Sequence, residues 1–149
     1  MKAENILDQL LQIHNLGFYD LESYFKEFNY YCVDKENDQF IFKSSLAIPG
    51  IYSVMTTDKI VDLCMYKIIG VLDSAQIYEY AILNYGFINI PIDEPSSFIL
   101  DNDKFRLSIR IVNYDGFGEQ TTIALVKRSV PFGHISKVEI TMEPLSNLS

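Results

Sequence analysis

The chain has 149 residues, 48% apolar and 21% charged, with 20 acidic against 12 basic side chains and a net charge of −8. That length predicts one domain, residues 1–149, burying roughly two thirds of its unfolded surface, and the composition excludes a disordered chain and a repeat array. The negative mean field repels a phosphate backbone, which sets nucleic acid aside as a partner and suits a protein that masks a basic surface.

Met1 to Ile13 carries Glu4, Asp8 and Gln9 in place of a basic start and an apolar core, and no apolar run is long enough to span a bilayer. A cytoplasmic chain without membrane contact is the expectation. In that compartment Cys32 and Cys64 are expected to be unpaired thiols, packed as small hydrophobes.

Ile6, Leu7, Leu10, Leu11 and Ile13 fall on one side of a first helix and Asp8, Gln9 and Gln12 on the other, with Gly17 where a C-terminal cap would stand. Asp20 is placed to cap a short second helix whose buried face is Leu21, Phe25 and Phe28, and Tyr19 and Tyr24 have the spacing of a hydrophobic staple. Tyr30 to Val33 and Phe40 to Lys43 flank the charged stretch Asp34 to Asp38, a hairpin pattern. Pro49-Gly50 marks a turn before a strand from Ile51 to Thr56.

Residues 59–72 are ambiguous. Ile60, Val61, Cys64, Met65 and Ile68 fit a helical stripe, whereas the β-branched content favours a strand, the preferred reading. Asp73 or Ser74 caps a third helix that runs through Tyr85 and closes at Gly86. Ile77, Tyr78, Ala81, Ile82 and Tyr85 make its broad apolar face, while Tyr80 and Leu83 lie on the flank beside Gln76 and Glu79. Either the core wraps around this helix or its outer flank meets a partner.

Pro91 and Pro95 punctuate a loop. Beyond it Phe105, Leu107, Ile109 and Ile111 alternate with Arg106, Ser108 and Arg110, a strand with one dry face and one wet face. The Gly- and Asp-rich turn Asn113 to Glu119 leads into Thr121 to Val126, completing an antiparallel hairpin that ends in Lys127-Arg128. Val138 to Met142 offers a last strand. These elements sum to an α+β fold: a mainly antiparallel sheet of four or more strands, the Phe105 to Ile111 strand central or next to central, and about three helices in a single layer on one face.

Motifs that carry chemistry are sparse. His14 projects onto the apolar face of the first helix near its C-terminal end, where a positive charge is favoured, and His134 sits in a loop without a local carboxylate or nucleophile. The Asp34 to Asp38 loop fails as a calcium loop because Gln39 and Ser45 stand where Gly and a bidentate Glu are needed; Asp101-Asn102-Asp103 fails because Phe105 replaces the next ligand. Gly116-Phe117-Gly118 lacks the Lys and Ser/Thr of a phosphate loop and is followed by a strand, and two cysteines cannot make a four-cysteine zinc site. No metal and no cofactor is expected. Arg106, Arg110 and Lys127-Arg128 read as a strand face that offsets acidic neighbours.

Two functions remain. The first is a non-enzymatic protein-binding module, such as an inhibitor or immunity-type antagonist of another protein with a basic surface, using Tyr114, Asp115, Phe117 and Glu119 on the hairpin turn and Tyr80 on the third helix. The alternative is a small-ligand-binding protein or enzyme whose pocket gathers His134, Arg106 and Arg110 from distant segments. Self-association is compatible with either.

Overall fold

The computed structural model describes residues 3–36, 38–44, 50–69, 74–95, 97–116 and 118–129, with the backbone alone at 3, 4, 36, 69 and 114. The helices are α1 (Ala3–His14), α2 (Leu21–Glu27) and α3 (Ser74–Tyr85). The strands are β1 (Tyr30–Glu36), β2 (Gln39–Ser44), β3 (Gly50–Thr57), β4 (Ile60–Ile69), β5 (Ile88–Ile90), β6 (Ser97–Asp101), β7 (Phe105–Tyr114) and β8 (Gly118–Lys127). Among the described residues they form one antiparallel sheet in the order β1-β2-β3-β4-β8-β7-β6-β5. Two four-stranded meanders, each made of neighbours in sequence, therefore meet along one seam, where Leu63 of β4 stands opposite Val126 and Ile68 opposite Thr121 of β8. The expected last strand at Val138 to Met142 lies outside the described residues.

Seam position explains why residues 59–72 read ambiguously. β4 is covered on both faces: Cys64 and Tyr66 face the helices, and Leu63 and Met65 belong to a second buried cluster on the opposite face. A strand dry on both sides loses its polar alternation and can mimic a helical stripe. β7 stands next to the central strand β8, as expected, with Leu107 and Ile109 fully buried toward the helices and Phe105 and Ile111 half-buried.

All three helices contribute to the core on one face of the sheet. α1 lies over the seam and touches both meanders: the Cys64 thiol of β4 donates to the Leu10 carbonyl at 3.3 Å, and His14 Nε2 donates to the Leu125 carbonyl of β8 at 2.7 Å. α2 buries Leu21 and Phe25, the latter stacked on Phe42 of β2 with centroids 4.0 Å apart. α3 buries Ile77 and Ala81 and packs Tyr78 against Phe98 of β6 at 5.4 Å. Asp8 ties α1 to α3 by accepting from the Tyr80 hydroxyl at 2.8 and 3.0 Å and from the Tyr85 hydroxyl. No described helix is long and apolar enough to cross a membrane.

Four local expectations are corrected. Gly17 has φ −76 and opens a 3-10 turn, Phe18–Asp20, so it is not a left-handed cap of α1. That turn runs directly into α2, so Asp20 makes no side-chain cap bond, and Phe28 is 44% exposed beyond the helix end. The face of β7 that carries Arg106, Ser108 and Arg110 is not wet: Ser108 is buried, both arginines are half-buried, and the nearby strands bury Ile51, Leu63, Met65, Ala124 and Val126 on that side. Alternation reports the polarity of a face, whereas the methylene stems of Arg and Lys, including Lys67 at 2% exposure, let a polar residue lie within an apolar surface.

Candidate interaction surface

Most of the ionisable and polar residues singled out in the sequence serve the fold. Burial pushes His14 down from its ordinary value of 6.5 to about 4, against the opposing pull of the Leu125 carbonyl. Its ring packs on Phe105 at 4.8 Å, so the favourable dipole at the end of α1 is outweighed and the imidazole is neutral. Arg106 grips Asp101 through two hydrogen bonds of 2.6 Å, which hold the Asp101 carboxyl below its ordinary range. Arg128 adds a contact to the same carboxylate at 4.0 Å. Arg110 lies on the same face as Arg106, half-buried opposite Thr122. His134 lies outside the described residues, and Arg106 is committed to a carboxylate of its own chain.

The cysteines are unpaired, Cys64 buried and Cys32 half-buried, and burial raises both thiols above their ordinary value. Asn102 closes the turn between β6 and β7 by accepting from the Lys104 and Phe105 amides at 2.9 and 2.8 Å. Its amide nitrogen donates to the Tyr85 carbonyl at 3.0 Å. The depression lined by Tyr85, Gly86, Asn102, Asp103 and Lys104 holds about 270 Å³ and is open to solvent, and the side-chain amide in its wall already has its partners. Among the described residues no three His, Cys, Asp or Glu side chains gather to hold a metal ion.

The residues expected to meet a partner are divided between two places. Asp115 and Glu119 are exposed at the β7–β8 tip, where Gly116 and Gly118 take φ values of 81 and 79 that suit glycine. The Tyr114 side chain and Phe117 lie outside the described residues. Tyr80 is half-buried, with its hydroxyl on Asp8, and acts as a clamp between helices where the sequence offered it as an exposed aromatic.

Among the described residues, exposed large apolar side chains occur at Tyr19, Phe28, Tyr31, Val33 and Ile60, and again on α3 and just beyond it. Leu83 is 81% exposed and Ile88 68%, with Ile82 and Ile92 also exposed. The stretch from Ile68 to Asp103 holds six of the chain's 20 acidic residues and none of its 12 basic ones. Glu79, Asp93, Glu94 and Asp103 from that stretch are exposed, while Asp101 is neutralised by Arg106. Leu83 was legible as a flank residue of an over-apolar helix; the one-signed stretch is visible in sequence but acquires meaning only once α3, β5 and β6 stand together at one side of the sheet. Compared with protein-family models, curated proteins and solved structures, the chain matches none.

Proposed function

We propose that the protein is a non-enzymatic protein-binding module, an inhibitor or immunity-type antagonist that meets a partner with a basic surface in the cytoplasm. The observation that carries this reading is the coincidence, on one side of the sheet, of an exposed Leu83 with a stretch of chain that has acidic residues and no basic ones. Apolar anchors supply affinity at an interface, and a one-signed field supplies steering and partner choice. The exposed carboxylates of Asp115 and Glu119 at the hairpin tip offer a second acidic contact to a partner large enough to span both. The pocket reading has less support, because Arg106, one of its expected members, is already paired with Asp101.

Cross-linking of the tagged chain at native expression level, followed by mass spectrometry, tests the proposal. The expected result is one stoichiometric protein whose retention falls as salt rises. Purification with a retained small metabolite and no protein partner would favour the pocket and refute the module.

A further inference from the structure

We infer that the outer flank of α3 is a docking strip for a cationic amphipathic helix of the partner, and that the sheet edges are not the docking site. The inference rests on the protein-binding reading above and names the place and the kind of element that binds. Strand addition is the first alternative, since an edge strand offers unpaired backbone groups. Both described edges are blunted against it. β5 is three residues long; the Phe87 amide just before it is taken by the Ala81 carbonyl at 3.3 Å, and Pro91 just after it has no amide proton. The Asn102 amide points to β7 through its bond to Phe105, so alternation along β6 and β5 turns only Asn89 of β5 outward. At the other edge, β1 carries a bulge between Cys32 and Asp34, which interrupts a regular ladder.

A helix needs no backbone donor from its receptor. Ala75, Glu79, Ile82 and Leu83 are exposed at spacings of four, seven and eight residues, opposite the buried Ile77 and Ala81. They form a ridge about 12 Å long on the solvent side of α3. Ala75 permits close approach, Ile82 and Leu83 provide the apolar contact, and Glu79 faces the zone where long Lys or Arg side chains of a packed helix would reach. The absence of Lys, Arg and His between Ile68 and Asp103 selects a positively charged partner. It also disfavours a second copy of this chain, because α3 against α3 would bring Glu79 toward Glu79 with no cation on either helix to offset it.

The probe is a synthetic 18-residue Leu/Lys peptide with a helical amphipathic pattern, alongside a peptide of identical composition in scrambled order. Titrated into isotope-labelled protein, the patterned peptide should shift amide resonances centred on Ala75 to Leu83 and bind at least about tenfold tighter than the scrambled one. Leu83→Asp should weaken binding at least about tenfold and Glu79→Lys should weaken it further, with the melting temperature unchanged because both side chains are exposed. Shifts centred on Asn89 or on Tyr31 to Val33 would overturn the inference in favour of an edge, as would equal binding of the two peptides. Self-association abolished by Leu83→Asp would assign the strip to a second copy and overturn it too. A native partner captured undiminished by the Leu83→Asp protein would leave the binding-module reading standing and remove α3 from its site.

Discussion

Acidification should destabilise this fold through one buried ring, His14. Its Nε2 proton is held by the Leu125 carbonyl at 2.7 Å and Nδ1 is buried, so a second proton would place a positive charge out of reach of water in the core. Burial is the main cause of the depressed value, Lys127 adds to it, and the carbonyls of Leu125 and Val61 with the Asp62 carboxylate oppose it. The sign follows from proton binding. Between an ordinary value of 6.5 and a folded value of about 4, the unfolded chain takes a proton that the folded chain refuses, so stability falls as pH falls through that window. The gap corresponds to roughly 3 kcal/mol, a large share of the ~5–15 kcal/mol that stabilises a domain. By comparison, the helix dipole favours a charged histidine by only about 0.3–2 kcal/mol. Urea unfolding of the wild type and of His14→Gln at pH 7.5, 5.5 and 4.5 isolates this contribution, because the carboxylates titrate in both chains. The wild type should lose about 2–3 kcal/mol more than the variant between pH 7.5 and 4.5. Parallel pH curves, or a wild type that gains on the variant in acid, would refute the reasoning.

Two further outcomes are expected. Phe25→Ala removes a fully buried ring that stacks on Phe42 at 4.0 Å and meets Tyr52 at 5.2 Å, and should cost about 3–5 kcal/mol in chemical denaturation; a loss below about 1 kcal/mol would mean that α2 is not docked where described. Alkylation under denaturing, non-reducing conditions should add two adducts, and under native conditions Cys64 should resist while Cys32 reacts slowly; two adducts appearing only after reduction would reveal a disulfide.

The sheet was legible wherever one face of a strand is drier than the other. Phe105 to Ile111 advertises its register because its second face carries Arg and Ser, and the turn glycines Gly116 and Gly118 mark where the chain reverses. β5 was not legible: its three residues sit between Gly86 and Pro91, too short for any period, and pairing with β6 is what makes them a strand. The cap assigned to Asp20 failed because a 3-10 turn removes the free amides that a cap needs, a tertiary choice that Gly17 leaves open. For the surface, composition gave sign without place. Tyr80 carries the same aromatic ring whether it meets a partner or clamps Asp8, and only the fold distinguishes the two. Leu83 was conspicuous because no helical face could accommodate it together with Ile77 and Ala81.

The position of α1 across the seam orders events in the cell. This helix is synthesised before every strand it packs on, and the carbonyl that anchors His14 belongs to Leu125, 111 residues later. At roughly 5–20 residues per second, the ribosome leaves the apolar side of α1 without its final cover for on the order of ten seconds. The first meander can pair strand to neighbouring strand during that interval, since its contacts are local, and offers α1 a half-finished platform through Cys64 and Leu10. A nascent chain interrupted before β8 would therefore present Ile6, Leu7, Leu10 and Ile13 over an open seam, a sticky intermediate of the kind that chaperones hold and proteases clear.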